Sequence, residues 1–131
     1  MTPIELLALA AAALVAATLV MLTLSTRARL AWWLPALAAL LFLGYSVATV
    51  AVEGPLAVWS AISASWWSNQ IWMDLLLAVA IGWVLILPRA RELGMQPLPW
   101  LVLVLGSGSI GFLLMLSRLL YLQASRGDTA A

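Results

Sequence analysis

Four runs of apolar residues, each long enough to cross a lipid bilayer as a helix, make up most of this chain. Of its 131 residues, 66% are hydrophobic and 8% are charged, whereas soluble domains are about 25% charged. A helix needs about 20 mostly apolar residues to cross the hydrocarbon layer. The sequence therefore predicts an all-α integral membrane bundle of four transmembrane helices in one domain, with spans at about 4–24, 30–52, 69–87 and 100–122.

The composition excludes several kinds of chemistry. There is no cysteine and no histidine, which removes disulfides, thiolate metal sites and histidine bases. We therefore predict no catalytic residue, no metal site and no cofactor. A net charge of +1 gives no reason to expect a nucleic-acid partner. The first apolar run lacks a basic leader and is too long for a signal peptide, so it is interpreted as a retained span.

The arginines predict the orientation in the membrane. The links after the first and third spans carry two arginines each, and the link after the second span carries none. Arginine-rich links face the cytoplasm, which places both termini outside. Arg118 and Arg126, near the C-terminus, count against this orientation. All six basic residues are arginine, as a GC-rich bacterial gene would give, so the expected location is a bacterial inner membrane.

The second link contains a helical pattern of its own. Trp59, Ile62 and Trp66 recur at helical spacing after Pro55, a residue suited to a first helical turn. An interfacial helix over residues 55–67 fits this pattern. A loop anchored in the interface by tryptophans is the equally weighted alternative.

A charged pair is expected between the third and fourth spans. Asp74 lies near the start of one span and Arg118 near the end of the next, which would place them at matching depth on consecutive antiparallel helices. Ser107 and Gly111 share the predicted face of Arg118. Their small side chains favour a close helix–helix contact there.

Further polar residues are predicted near the same side of the membrane. The pair and these residues have two interpretations: a structural clamp whose hydroxyl groups bond locally to backbone, or a site for the polar end of a lipophilic molecule. The clamp is favoured over the site. The expected outer polar cluster consists of Tyr45, Ser46, Thr49, Glu53 and Asn69, next to Asp74 and Arg118.

The segments NQIWMDLLLAV, RELGM and GSGSIGFLLMLSRLLY resemble an uncharacterised family of small bacterial membrane proteins over about half of the chain. The same layout is more distantly similar to the abscisic-acid-deficient type of membrane proteins needed for neoxanthin formation, which implies a carotenoid or other isoprenoid ligand. Those proteins usually have a proline after the first glycine of the last span, where this chain has GSGS. The positions that carry the likeness are Asn69, Asp74, Gly106, Gly108, Gly111 and Arg118.

Three functions remain open from the sequence. The leading interpretation is a non-catalytic accessory subunit or scaffold, in the lipid bilayer with other membrane proteins or further copies of itself. The alternative is binding or modification of a lipophilic ligand, such as a carotenoid or lipid, at the outer polar cluster. A small oligomeric transporter is a weaker third interpretation. No nucleophile or metal set accompanies the carboxylates, which favours a protein that is not an enzyme.

Overall fold

The computed structural model describes residues 1–27 and 29–130 and is all-α. The chain divides into two units, Met1–Ala31 and Trp32–Ala131. Three of the helices in the described residues, Pro3–Leu24, Trp33–Glu53 and Trp66–Glu92, are long and apolar enough to cross a membrane, which makes this a helical membrane protein. The helices are α1 (Pro3–Leu24), α2 (Trp33–Glu53), α3 (Ala57–Ser63), α4 (Trp66–Glu92), α5 (Pro97–Ser107) and α6 (Ser109–Ala130).

The first unit consists of α1, which begins with a capping box. The Glu5 backbone N–H donates to Thr2 Oγ1 at 3.2 Å, and the Thr2 N–H donates to the Glu5 carboxylate at 2.8 Å. These bonds satisfy two groups that a helix start otherwise leaves unpaired. Pro3 occupies the first helical turn, where its missing N–H costs nothing.

The second link forms a shorter helix than the predicted 55–67. Its helix, α3, ends at Ser63, because Ser65 already caps α4 and accepts a hydrogen bond from the Ser68 N–H at 3.1 Å. As a result α4 begins earlier than the predicted third span. It also continues through Pro88, so it has 27 residues and a length of about 40 Å at 1.5 Å per residue.

The predicted fourth span at 100–122 is not one helix. It is divided at Gly108, whose φ of 62° lies in the left-handed region that glycine adopts without a steric penalty. A side chain on Gly111 would meet the Leu103 carbonyl carbon at 2.8 Å. Residues eight apart in a straight helix are separated by about 12 Å. The chain therefore folds back, and α5 and α6 form a helical hairpin.

Contacts with α4 fix the direction of this hairpin. The Phe112 ring lies against Gly82 and packs edge to face on Trp83. Further along both helices, Arg126 Nη1 donates to the Glu92 carbonyl at 3.0 Å. The α6 helix therefore runs parallel to α4, and α5 runs antiparallel to both. The predicted fourth span was expected to run antiparallel to the third along its whole length.

The core of the second unit lies where α6 packs. Met115 and Leu119 of α6 are buried with Ala90 of α4 and Met95 of the following turn. On its other side α6 contacts the start of α2: Ser117 Oγ donates to the Trp32 carbonyl at 2.7 Å. The half-buried side chains around this core are Trp83, Ile86, Leu93, Trp100, Leu120 and Leu122.

Packing divides the second unit into two parts. We use the name arginine half for residues 32–39 and 82–127, because four arginines lie there. The open half is residues 40–53 of α2 and 66–81 of α4. No residue of the open half is buried.

Candidate functional site

Arg118 lies in the arginine half, on the exposed side of α6. Its guanidinium carbon is 5.7 Å from the centre of the Tyr121 ring, a cation–π distance. The Tyr121 ring in turn packs edge to face on Trp32, with 5.4 Å between ring centres. Arg118 is thus held among aromatic rings of the kind that occupy membrane interfaces.

Asp74 lies far from Arg118, in the open half of α4. Asp74 is eight residues before Gly82, and Arg118 is six residues after Phe112, which touches Gly82. Because α4 and α6 are parallel, these fourteen residues at about 1.5 Å each place the two charges about 21 Å apart along the helix axes. The structure therefore does not form the expected ion pair. The expectation depended on residues 100–122 crossing the membrane, and the turn at Gly108 reverses that path.

The arginines of the second unit gather at one end instead. Arg89 and Arg91 occupy the last turn of α4, and Arg126 reaches the adjacent Glu92 carbonyl. Arg118 lies between this end and the level of Gly82. The two arginines that counted against the predicted orientation therefore lie on the same side as the link after α4.

The polar residues of α2 form a stripe and not an enclosed cluster. Thr49 Oγ1 donates to the Tyr45 carbonyl one turn earlier at 2.9 Å, as a local hydroxyl bond would. Ser46 is half-buried, and Tyr45, Thr49 and Glu53 are exposed. Among the described residues, no hydrogen bond or ion pair joins this stripe to α4, where Asn69 and Asp74 are also exposed.

Gly111 lies in a very close contact, with a different partner from the one expected. A Cβ there would be 2.8 Å from the Leu103 carbonyl carbon and oxygen, and 2.9 Å from Ser107 Oγ. Ser107 Oγ itself donates to the Leu103 carbonyl at 2.7 Å. The small residues therefore allow α5 and α6 to approach each other, whereas the sequence suggested an approach to the third span.

A groove between α4 and α5 was not anticipated from the sequence. It has a volume of about 220 Å³ and is open on one side. It exists because the hairpin returns α5 alongside α4, so only recognition of the turn in GSGS could have revealed it. The lining residues are Trp83, Leu87, Arg91, Pro97, Leu98 and Leu101.

Candidate metal ligands are not grouped together in the part of the chain that the structure describes. No group of three or more histidine, cysteine, aspartate or glutamate side chains there could hold a metal ion. No protein-family model, curated protein or solved structure matches the chain. Exposed charge, packing and the groove are the features of the molecule that bear on its function.

Proposed function

We propose that this protein is a non-catalytic accessory or scaffold subunit of a membrane complex, which it joins through its open half. The observation that carries this proposal is the exposed carboxylate of Asp74 on α4. We also propose how the helices are arranged in the membrane, because the depth of Asp74 depends on that arrangement.

The proposed arrangement has three crossings, α1, α2 and α4, and a hairpin that enters and leaves on one side. If one boundary of the hydrocarbon layer lies at Pro88, before the arginines of α4, Asp74 is fourteen residues, or about 21 Å, inside that layer. Gly82 is then about 9 Å inside, and Gly108, four residues before Phe112, is about 15 Å inside. The hairpin would thus turn near the middle of a hydrocarbon layer about 30 Å thick.

The orientation follows from the basic residues. With the arginine half at the cytoplasmic side of a bacterial inner membrane, the C-terminus is cytoplasmic and the N-terminus is outside. The earlier expectation of an external C-terminus assumed four crossings. In the new arrangement Arg118 and Arg126 no longer oppose the positive-inside rule.

At the proposed depth, Asp74 needs a partner from outside the second unit. Charged side chains in the hydrocarbon region almost always face a bundle interior or a water-filled cavity. Among the described residues, Asp74 has no hydrogen bond or ion pair, and the neighbouring positions of α4 are exposed. Asn69 and the α2 stripe of Ser46 and Thr49 add groups that could hydrogen-bond across a helix interface. A protein partner on the open half would satisfy all of them.

Purification in mild detergent tests this proposal. We expect other polypeptides, or further copies of the chain, to co-purify at fixed stoichiometry, and Asp74→Leu to release them. Val84→Leu is the matched control, because Val84 is exposed on the same helix but lies in the arginine half. Equal recovery of the partner with Asp74→Leu, or a monomer without any partner, would contradict the proposal.

The other two functions give different results in the same purification. A stoichiometric lipophilic molecule, such as a carotenoid, lost on changing Tyr45 or Thr49 would support the ligand-binding alternative. Substrate flux that depends on pH, measured after reconstitution into vesicles, would support the oligomeric transporter.

A further inference from the structure

We infer that the groove between α4 and α5 binds an anionic phospholipid of the leaflet at the arginine half, with an acyl chain in the groove and the phosphate at Arg91. The walls of the groove are apolar apart from this arginine. A lipid with a negative headgroup matches both features, since its acyl chain fits an apolar groove and its phosphate pairs with the arginine.

The groove has the orientation that a lipid needs. Its lining on α4 extends from Trp83 to Arg91, which is eight residues or about 12 Å along the axis. Arg91 and Pro97, the first residue of α5, are at the end nearest the arginines. Trp83 and Leu101 are at the end nearest the hairpin turn. A headgroup at Arg91 therefore directs its acyl chain toward the middle of the membrane.

The size of the groove favours a segment of an acyl chain over a compact ligand that the groove would enclose completely. Its volume is about 220 Å³, whereas pockets for drug-sized ligands are about 300–1,000 Å³. The groove is open on one side, so the second acyl chain can remain in the surrounding lipid. Leu98 is 69% exposed although it lines the groove, as expected for a wall that continues into the bilayer.

The electrostatics at the mouth of the groove favour an anion. Arg91 is exposed and, among the described residues, makes no hydrogen bond or ion pair, so its guanidinium can bind phosphate in a bidentate manner. Glu92 is adjacent in sequence, but consecutive helical residues do not face each other. Its side chain does not line the groove. The N-terminus of α5, which has no side-chain cap, adds a partial positive charge.

Lipid binding by the purified protein tests this inference. We expect native mass spectrometry to show one tightly held phosphatidylglycerol per chain and not phosphatidylcholine. Arg91→Gln should weaken binding at least roughly fivefold, since one arginine near an anionic surface is worth about 1 kcal/mol. Leu98→Trp, which narrows the groove at an exposed position, should also weaken binding.

The matched control is Arg89→Gln, which removes the same charge from the same helical turn at a position outside the groove. We expect it to retain the bound lipid. Equal losses from Arg89→Gln and Arg91→Gln, or no preference for phosphatidylglycerol, would overturn the inference. Retention of lipid by Leu98→Trp would exclude the groove as the acyl-chain site. Glycerol phosphate should not compete at the same concentration; full competition by it would mean that only an anion is bound.

The experiment is independent of the accessory function. Arg91 lies in the arginine half, and the proposed partner lies on the open half. Loss of lipid with Arg91→Gln should therefore leave the co-purifying polypeptides unchanged, and Asp74→Leu should leave the lipid in place.

Discussion

The two parts of α4 are both mostly apolar, but residues 66–81, the more apolar part, pack less than residues 82–92. In residues 82–92, Gly82 lies against Phe112 and Ala90 is completely buried. In residues 66–81 no side chain is buried, and Leu77 is 62% exposed. The same contrast divides α2, where Ala39 is buried and Leu40 and Leu41 are exposed. Hydrophobicity therefore indicates which helices suit a membrane without identifying where they pack.

The cause of the contrast is the length of the α5–α6 hairpin. It turns at Gly108, so α6 covers α2 and α4 over only part of their length. Apolar side chains gain little by leaving lipid for protein, because lipid tails are as apolar as leucine. The open half is therefore stable as a lipid-facing surface except at its polar positions, and those positions are where a partner is expected.

The largest expected effect concerns the side of the membrane on which the C-terminus lies. A reporter fused after residue 130 should be active in the cytoplasm, because α6 returns to the side of Arg91. A fusion after Gly54, at the end of α2, is the control and should report the outside. A periplasmic reporter after residue 130 would show that residues 100–122 cross the membrane, and the comparison of two halves would then fail.

Truncating the core should produce the largest change in stability. Met115 is completely buried, and Met→Ala changes at such sites cost about 2–5 kcal/mol. We expect the lower part of that range for Met115→Ala, since the unfolded reference in detergent is also apolar. Leu77→Ala in the open half should change the free energy of unfolding by less than about 0.5 kcal/mol. Similar losses in thermal unfolding would mean that both halves are packed.

Two glycine-to-alanine changes compare the halves by addition of a single methyl group. Gly111→Ala places a Cβ 2.8 Å from backbone atoms of Leu103, which cannot move as a flexible side chain could. We expect a loss of about 2 kcal/mol. Gly44, on the open half of α2, has nothing within 4 Å of an added Cβ. Gly44→Ala should therefore gain about 0.5–1 kcal/mol from helix propensity. A tolerated Gly111→Ala would contradict the hairpin.

Hydroxyl bonds provide a smaller contrast. Ser117 Oγ joins α6 to the Trp32 carbonyl, whereas Thr49 Oγ1 bonds within its own helix. Ser117→Ala should cost about 1 kcal/mol, because it leaves a carbonyl unpaired between two packed elements. Thr49→Val should have almost no effect on the isolated chain. Equal effects in chemical unfolding would show that Ser117 does not join the helices.

The smallest expected effect is the coupling between Asp74 and Arg118. Changes at sites more than about 7–10 Å apart add within about 0.3–0.5 kcal/mol. Asp74→Asn and Arg118→Gln should therefore be additive, and exchanging the two charges should give no recovery. A coupling above about 1 kcal/mol would place the residues in contact and restore the path of four crossings.

The sequence predicted the all-α membrane class, and helices cover the first and third predicted spans and the second from Trp33 onward. Apolar length is a property of each segment alone, so no tertiary information was needed there. The prediction of a fourth span was wrong because it depended on the apolar length of residues 100–122 alone. It did not include the conformational freedom of Gly108, which allows the chain to turn there. After the chain reverses there, the register of every later residue against α4 changes. That change separates Asp74 from Arg118 and creates the groove at Arg91.

Gly111 and the arginines show the same limit in different ways. A small residue predicts a close approach, but it does not identify the element that approaches, which here is Leu103 of the same predicted span. Arg118 and Arg126 conflicted with the orientation deduced from the other arginines. That conflict was the signal in the sequence that residues 100–122 do not form one straight helix.

The hairpin also has a consequence for the order of assembly during synthesis. With 11 residues, α5 is only about 16 Å long, too short for a translocation channel to release into lipid as a complete span. The surfaces on which the hairpin packs, α2 for α6 and α4 for both of its helices, are synthesised before it. In the proposed arrangement of three crossings, the hairpin would enter from the cytoplasmic side after those helices are in the bilayer, so its insertion would be a docking step and not a fourth translocation.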